Sequence, residues 1–583
     1  MKLKFISLLF LSIISFAQQV KIKVIETTDT HGAIYPFDFV NNKETSYSLA
    51  NFSTYLTQQR EDTTQEVVLL SGGDLLQGTP AVYYYNFEET SAPHLYAEVM
   101  NYLKYDAGTV GNHDIETGHK VYDSFREQLN FPWLAANAVK EDGITPYFEP
   151  YTIIQKKGIK IAVLGLITPH IPYWLPEKLY KGMEYNDMIA SAKYWVNKIK
   201  KEEKPDILIG LFHAGADFTY GGQTANTYKN ENASLLVARE VPGFDVVFVG
   251  HDHHGWNKTI INSEGKEVLF LGGTYSAKDF AVADLTINFN NGVISVDKKG
   301  YLLNSKNFKA DEKFLKTFEK QFKVISDYVS RPLAKINSSI STRESFFGDS
   351  PFIDLIHQLQ LQISNAQISF TAPLSFDAEI EEGNIYVRDM FKLYRYENFL
   401  YTINLTGKEI DAALEYSYAL WFNQMKNEDD HLLNFNTDER GNLIFDERSN
   451  FPILKERFYN FESAEGITYT VDVSKPEGER VEILKFNNGS KFYPDSIYTV
   501  AVSSYRGNGG GGHLTKGAGL TKEELTSRRI TSTEKDLRYF MMKWIEKMKE
   551  INPVTNNNWE ILPKAWVDKA KERDYKLLFD NKE

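Results

Sequence analysis

The residues that carry the most chemistry are Asp29-Thr30-His31, Gly73-Asp74, Gly111-Asn112-His113-Asp114, His213 and Gly250-His251-Asp252-His253. They supply two carboxylates, one amide and four imidazoles, with His113 left over. Such a donor mixture suits Zn, Mn, Fe, Co or Ni, whereas a pure Mg or Ca site would be built from oxygen alone. One carboxylate between two ligand sets can bridge two cations, and Asp74 is read as that bridge. Cations ~3.5–4 Å apart can share a water, lower its pKa and stabilise charge developing on phosphoryl oxygens. Taken singly, Asp-x-His and Gly-Asp are more often caps or turns. In this order, each behind an apolar run, they point to one metal site.

Those apolar runs are the elements that must position the ligands. Runs at 20–25, 67–70, 107–110, 207–212 and 246–249 stop at or shortly before Asp29, Asp74, Asn112, His213 and His251, and a further run spans 161–167. Short apolar runs alternating with amphipathic stretches read as α/β. In α/β sheets the loops beyond the carboxyl ends of the strands converge on one crevice, so one site built from several loops is expected. Nine of the 12 histidines lie in the first 254 residues, which places the metal chemistry in the first domain.

A chain of 583 residues is too long for one core. The net charge of -13 argues against neutralising the phosphates of a nucleic-acid polymer, so an anionic substrate must be drawn in by a local positive charge such as a metal ion. There is no cysteine, which removes disulfides, thiolate zinc sites and a cysteine nucleophile. Residues 1–17 show a basic start, an apolar run and a small-x-small cleavage site, the layout of a secretory signal peptide. No later stretch is apolar for long enough to span a bilayer, so an exported, periplasmic protein is expected. Phe314, Phe318, Phe322 and Ile325 fall at helical spacing and predict a linking helix within 307–341, stopped at Arg331-Pro332. The expected domains are therefore 18–306, the linker 307–341, and a second α/β domain over 342–583 with strand-like runs at 401–405 and 498–502.

In that second domain, Ser504-Tyr505-Arg506-Gly507-Asn508 runs into four glycines at 509–512. Glycines let backbone approach a ligand, and an aromatic beside them can stack on a base. Taken together, the metal motifs resemble the calcineurin-like metallophosphoesterase superfamily, and the layout of signal, phosphoesterase domain, linking helix and C-terminal domain resembles the secreted 5′-nucleotidase family. The resemblance implies an N-terminal β-sandwich flanked by helices and a C-terminal α/β substrate-binding domain. It also implies two divalent ions of Zn, Mn, Co or Fe type. By it, one ion is held by Asp29, His31, Asp74 and His253, and the other by Asp74, Asn112, His213 and His251. His113 would stabilise or protonate the leaving oxygen, oriented by Glu116, with Asp114 also near. Tyr459-Asn460-Phe461 resembles the family's other aromatic segment. Phe461 or Tyr459 would sandwich a nucleobase with Tyr505, and Asn460, Arg506, Asn508 and Gly510 would supply further contacts.

Where 5′-nucleotidases of this family carry Asn-Gly-Gly-x-Arg, this chain has Thr371-Ala372-Pro373-Leu374-Ser375. That favours the 2′,3′-cyclic-nucleotide 2′-phosphodiesterase/3′-nucleotidase branch over a 5′-nucleotidase or nucleotide-sugar hydrolase. A non-catalytic nucleotide-binding relative would show broken ligand motifs, and none is broken here. Rotation about the 307–341 connection is expected to position substrate between the two domains.

Overall fold

The computed structural model describes residues 19–290, 293–446 and 450–580. The signal segment expected over 1–17 lies outside the described residues. Among the described residues no helix is long and apolar enough to cross a membrane.

Two six-stranded sheets form the first half of the chain. In one, Gln19–Thr27, Glu66–Ser71, Ala107–Thr109 and Trp133–Leu134 run parallel, and Asp279–Asn290 with Val293–Asn304 extends one edge antiparallel. In the other, Ile159–Ile167, Ile207–His213, Val246–Val249 and Glu267–Gly272 run parallel, bounded by antiparallel Tyr151–Lys156 and Trp256–Ile261. The sheets stack through Ile22, Val24, Val68 and Leu70 of the first against Val163, Ile209, Leu211 and Phe248 of the second. Helices Leu49–Glu61 and Leu95–Leu103 cover one outer face, and Met188–Glu202 and Ser234–Glu240 the other. Strands covered on both faces need apolar residues throughout, which is why they read as continuous Val, Ile and Leu runs.

Two helices, Glu312–Thr317 and Glu319–Val329, stand where a single linking helix was expected, because Phe318 (φ -106°, ψ 18°) breaks the turn between them. Phe314 and Phe318 meet Tyr102, and Phe322 packs on Tyr35, Phe37 and Phe39, so the pair lies on the first domain. Pro332 opens strand Pro332–Ile336, paired with Gly383–Tyr386 and Glu550–Ile551.

The second half centres on a five-stranded sheet ordered Ser463–Glu465, Ile368–Thr371, Ile497–Ser503, Leu400–Thr406, Arg529–Ser532. Its antiparallel pair Leu400–Thr406 and Ile497–Ser503 contains the two expected strand runs. Helices Pro351–Ser364 and Gly407–Trp421 pack on it.

Candidate metal centre and substrate cleft

The seven candidate ligands converge from the carboxyl ends of the parallel strands in both sheets. Asp29 with His31 and His253 forms one close grouping, and Asp29 with Asp74 and His213 another, each with ligand atoms within 4.8 Å. Asn112 Oδ1 lies 3.1 Å from His213 Nε2 and 2.8 Å from His251 Nδ1. Asp29, which the sequence reading placed in one ligand set only, is thus common to both close groupings.

Five of the seven candidate ligands also lie in left-handed backbone, a conformation that eleven other described non-glycine residues share. Asp29, His31, Asp74, His251 and His253 have φ of 49°, 48°, 55°, 82° and 60°. Left-handed conformation costs a non-glycine residue ~1–3 kcal/mol and persists only where surroundings enforce it, typically at functional sites. Gly111 is required sterically: a Cβ there would lie 2.0 Å from Asp74 Oδ1.

The donor set fits cations. His31 Nδ1 donates to the Gln77 carbonyl (2.9 Å), which leaves a lone pair on Nε2, 3.2 Å from His253 Nε2. Burial, and then the neighbouring His253, lower His31 to about 3, so it stays neutral. His213 Nδ1 donates to the Gly72 carbonyl (2.6 Å), so its Nε2 faces two acceptors, Asp74 Oδ2 and Asn112 Oδ1, each at 3.1 Å. Burial opposes charge on His213, but Asp74 and Asp29 outweigh it and raise the ring to about 9. Protonated His213 supplies the positive charge that these buried acceptors need, and a bound cation would take over that role.

His113 stands beside this cluster. Its backbone N–H donates to Asp74 Oδ1 (2.9 Å) and its Nδ1 to Glu116 Oε2 (2.5 Å). Burial works against the imidazolium, yet Asp74 and Glu116 together push it up to about 10. Asp114 is committed elsewhere: its carboxylate accepts from the N–H groups of Asp74, Leu75, Leu76 and Gly111, tying the two ligand loops together.

One cleft of about 1910 Å³ joins the halves, lined by His31, Asp74, Asn112, His113, His251 and His253 on one side. Tyr396, Tyr459, Asn460, Tyr505, Arg506 and Gly510 line the other.

The calcineurin-like phosphoesterase family model matches residues 22–255, and the 5′-nucleotidase C-terminal domain model matches 329–516. The chain is a calcineurin-like phosphoesterase joined to a 5′-nucleotidase C-terminal domain. A Bacillus subtilis protein, the trifunctional nucleotide phosphoesterase YfkN, is 28% identical to this phosphoesterase over 94% of its chain, which spans 39% of that larger protein. The 2′,3′-cyclic-nucleotide 2′-phosphodiesterase/3′-nucleotidase of Haemophilus influenzae is 25% identical, covering 95% of this chain and 89% of its own. A solved Staphylococcus aureus structure shares the fold with a TM-score of 0.75 at 19% identity, covering 93% of this chain and 99% of that one. The phosphoesterase domain implies binding of divalent metal.

Several residues of the phosphoesterase sit elsewhere than expected. Phe461 is 1% exposed and stacks on Trp421 (5.0 Å, 15°), so it is core and does not reach the cleft. Lying two residues after Tyr459, it follows the chain as that turns inward to strand Ser463–Glu465. Asn508 donates to the Trp174 carbonyl of the first domain (3.3 Å), an interdomain contact outside the cleft lining. Asn460 lines the cleft, but its Nδ2 donates to Glu456 (3.0 Å).

Other lining residues went unseen in the sequence. Tyr396 stands edge-on to Tyr459 (6.3 Å). Trp174 stacks on His251 (5.5 Å, 29°). Glu231 lies 3.6 Å from His251 and 3.4 Å from His170, and although burial opposes its charge, those two rings hold it down at about 2. Tyr396 and Glu231 sit in loops and Trp174 ends the one-turn helix Ile171–Trp174, so no periodicity marks them.

Proposed function

We propose that the protein is exported to the periplasm, where it opens 2′,3′-cyclic nucleotides and then hydrolyses the 3′-monophosphate to nucleoside and phosphate. The observation that carries this reading is the single cleft with metal-ligand residues on one wall and tyrosines on the other. The Haemophilus influenzae relative is named for both activities. Thr371, Ala372, Leu374 and Ser375 line the cleft where a 5′-nucleotidase would present its arginine.

In this reading Asp29, His31, Asp74 and His253 hold one divalent ion, and Asp74, Asn112, His213 and His251 the other. Bound there, the pair supplies a water of lowered pKa and neutralises charge on the phosphoryl oxygens. The chain's own part is positional. Asp74 spans the two ligand sets, and its loop is fixed by Asp114. Glu116 holds His113 Nδ1, which turns Nε2 toward the departing oxygen. Tyr505, with Tyr459 or Tyr396, stacks on the base and fixes the phosphate end against the ligand loops.

A 5′-nucleotidase or UDP-sugar hydrolase is the second reading, favoured by the matching C-terminal domain. A panel of 2′,3′-cyclic, 3′- and 5′-nucleotides and UDP-glucose, assayed with Mn, Zn, Mg and Co after chelation, separates them. Cyclic and 3′ preference is expected; 5′ or nucleotide-sugar preference overturns the first reading.

A further inference from the structure

The sequence makes Arg506 a polar contact for the substrate, and in the structure its guanidinium is committed to partners inside the protein. It is 1% exposed, and its Nε pairs with Glu462 Oε1 at 2.8 Å. Nη1 donates to the Gly510 carbonyl (2.6 Å) and Nη2 reaches the Tyr459 carbonyl (3.5 Å). Glu462 is itself 3% exposed and fixed to helix Gly407–Trp421, where its backbone N–H donates to Ser417 (2.9 Å). The glycine run serves this arrangement. A Cβ on Gly511 would lie 1.9 Å from Arg506 Nη1, and one on Gly510 would lie 2.5 Å from the Tyr505 ring. Absence of side chains there makes room for a guanidinium and a phenol, not for a ligand alone.

We propose that Arg506, held by Glu462, is a positioning residue that sets the separation of the two aromatic segments by binding the carbonyls of Tyr459 and Gly510 at once. This rests on the nucleotide reading above. Tyr505 precedes Arg506 directly, and Tyr459 carries one of the bound carbonyls, so one planar fork fixes both segments. The Gly510 contact is short, the Tyr459 contact is long and the Glu462 contact is an ion pair, and lysine, a single-point donor on a flexible stem, cannot span all three. Arg506 therefore acts on the base and not on the phosphate.

The test uses the full-length enzyme. Dissociation constants of adenosine and uridine, which carry no phosphate to hydrolyse, are measured calorimetrically on the metal-loaded enzyme, alongside the ratio of kcat/KM for adenosine 3′-phosphate to that for 4-nitrophenyl phosphate. In Arg506→Met both nucleoside affinity and that ratio should fall roughly tenfold or more, the size of a lost base–aromatic stack. Should Arg506→Met fail to fold, Arg506→Lys keeps the charge for Glu462 and should show the same loss to a smaller degree. Folded variants whose nucleoside affinity and selectivity ratio stay within twofold of the native enzyme overturn the positioning role, as does an equal loss on both substrates. Native enzyme that binds neither nucleoside yet turns over 4-nitrophenyl phosphate refutes the nucleotide reading itself, a distinct result.

Discussion

The Nε2 atoms of His31 and His253 face each other across 3.2 Å, with His253 also 3.4 Å from the buried carboxylate of Asp29. Because His31 gives its one proton to Gln77, the meeting point is a pair of ring nitrogens and a carboxylate oxygen with a cation-sized role to fill. Chelation should therefore lower Tm, and Mn or Zn should restore it. Ligand at 100 times its Kd contributes about 2.7 kcal/mol. His253→Ala should retain one ion of the pair by elemental analysis. A Tm indifferent to both chelator and metal would count against a cation here.

His113 and Asp74 separate chemistry from metal retention. His113→Ala leaves every proposed ligand in place, so metal content should persist while kcat falls by about 10²–10⁴-fold, the usual worth of a positioned acid. Asp74→Asn should lose metal as well, since an amide offers one oxygen where a carboxylate offers two. Full turnover in purified His113→Ala would remove its assigned part.

The ligand loops were legible because each motif sits directly after a strand, and strand ends in a parallel sheet share one edge. The tyrosine wall was half legible. Tyr505 follows a strand, but Tyr396 lies in the turn after helix Val387–Leu393, with nothing in its spacing to mark it. Phe461 misled because the chain turns inward within two residues, and the acidic partner of Arg506, Glu462, lies 44 residues away, outside any local pattern. The same burial that hides such pairs from sequence reading is what makes them structural.

Phe461 and Tyr396 should accordingly show opposite phenotypes. Phe461→Ala empties a site beside Trp421, Tyr418 and Phe422 and should cost about 3–5 kcal/mol in denaturant unfolding. Tyr396→Ala should spare stability and raise KM for nucleotides. The reverse pattern would restore Phe461 to the cleft.

Asp354 makes stability depend on pH. Its Oδ1 and Asp349 Oδ2 are sealed from solvent with no donor beside them, and a proton on one of the two carboxyls fills that need. Burial first, and the charge of Asp349 second, raise Asp354 from 3.8 to about 8. A folded pKa above the unfolded one means the proton is held more tightly in the folded state. That contribution is complete below about pH 3.8 and is lost as pH rises through about 8. Urea unfolding between pH 5 and 9 should show native stability declining relative to Asp354→Asn, which keeps the shape without the proton. Parallel curves would exclude the effect.

Tyr83 joins the domains a few residues beyond the Asp74 loop. It is 1% exposed, meets Phe391 edge-on (5.3 Å), lies under Arg538 (4.8 Å), and its hydroxyl donates to Asp536 (3.2 Å). Arg538 is wholly buried and paired with Glu397 at 2.9 Å. A rotation about 307–341 must therefore carry the Asp74 loop with it or break this contact. Tyr83→Ala should lower Tm and split thermal unfolding into two transitions, whereas Tyr83→Phe, which keeps the ring, should unfold in one. If Tyr83→Ala melts in a single transition at the native temperature, the tie is not what couples the halves, and the paired linker helices alone must do so.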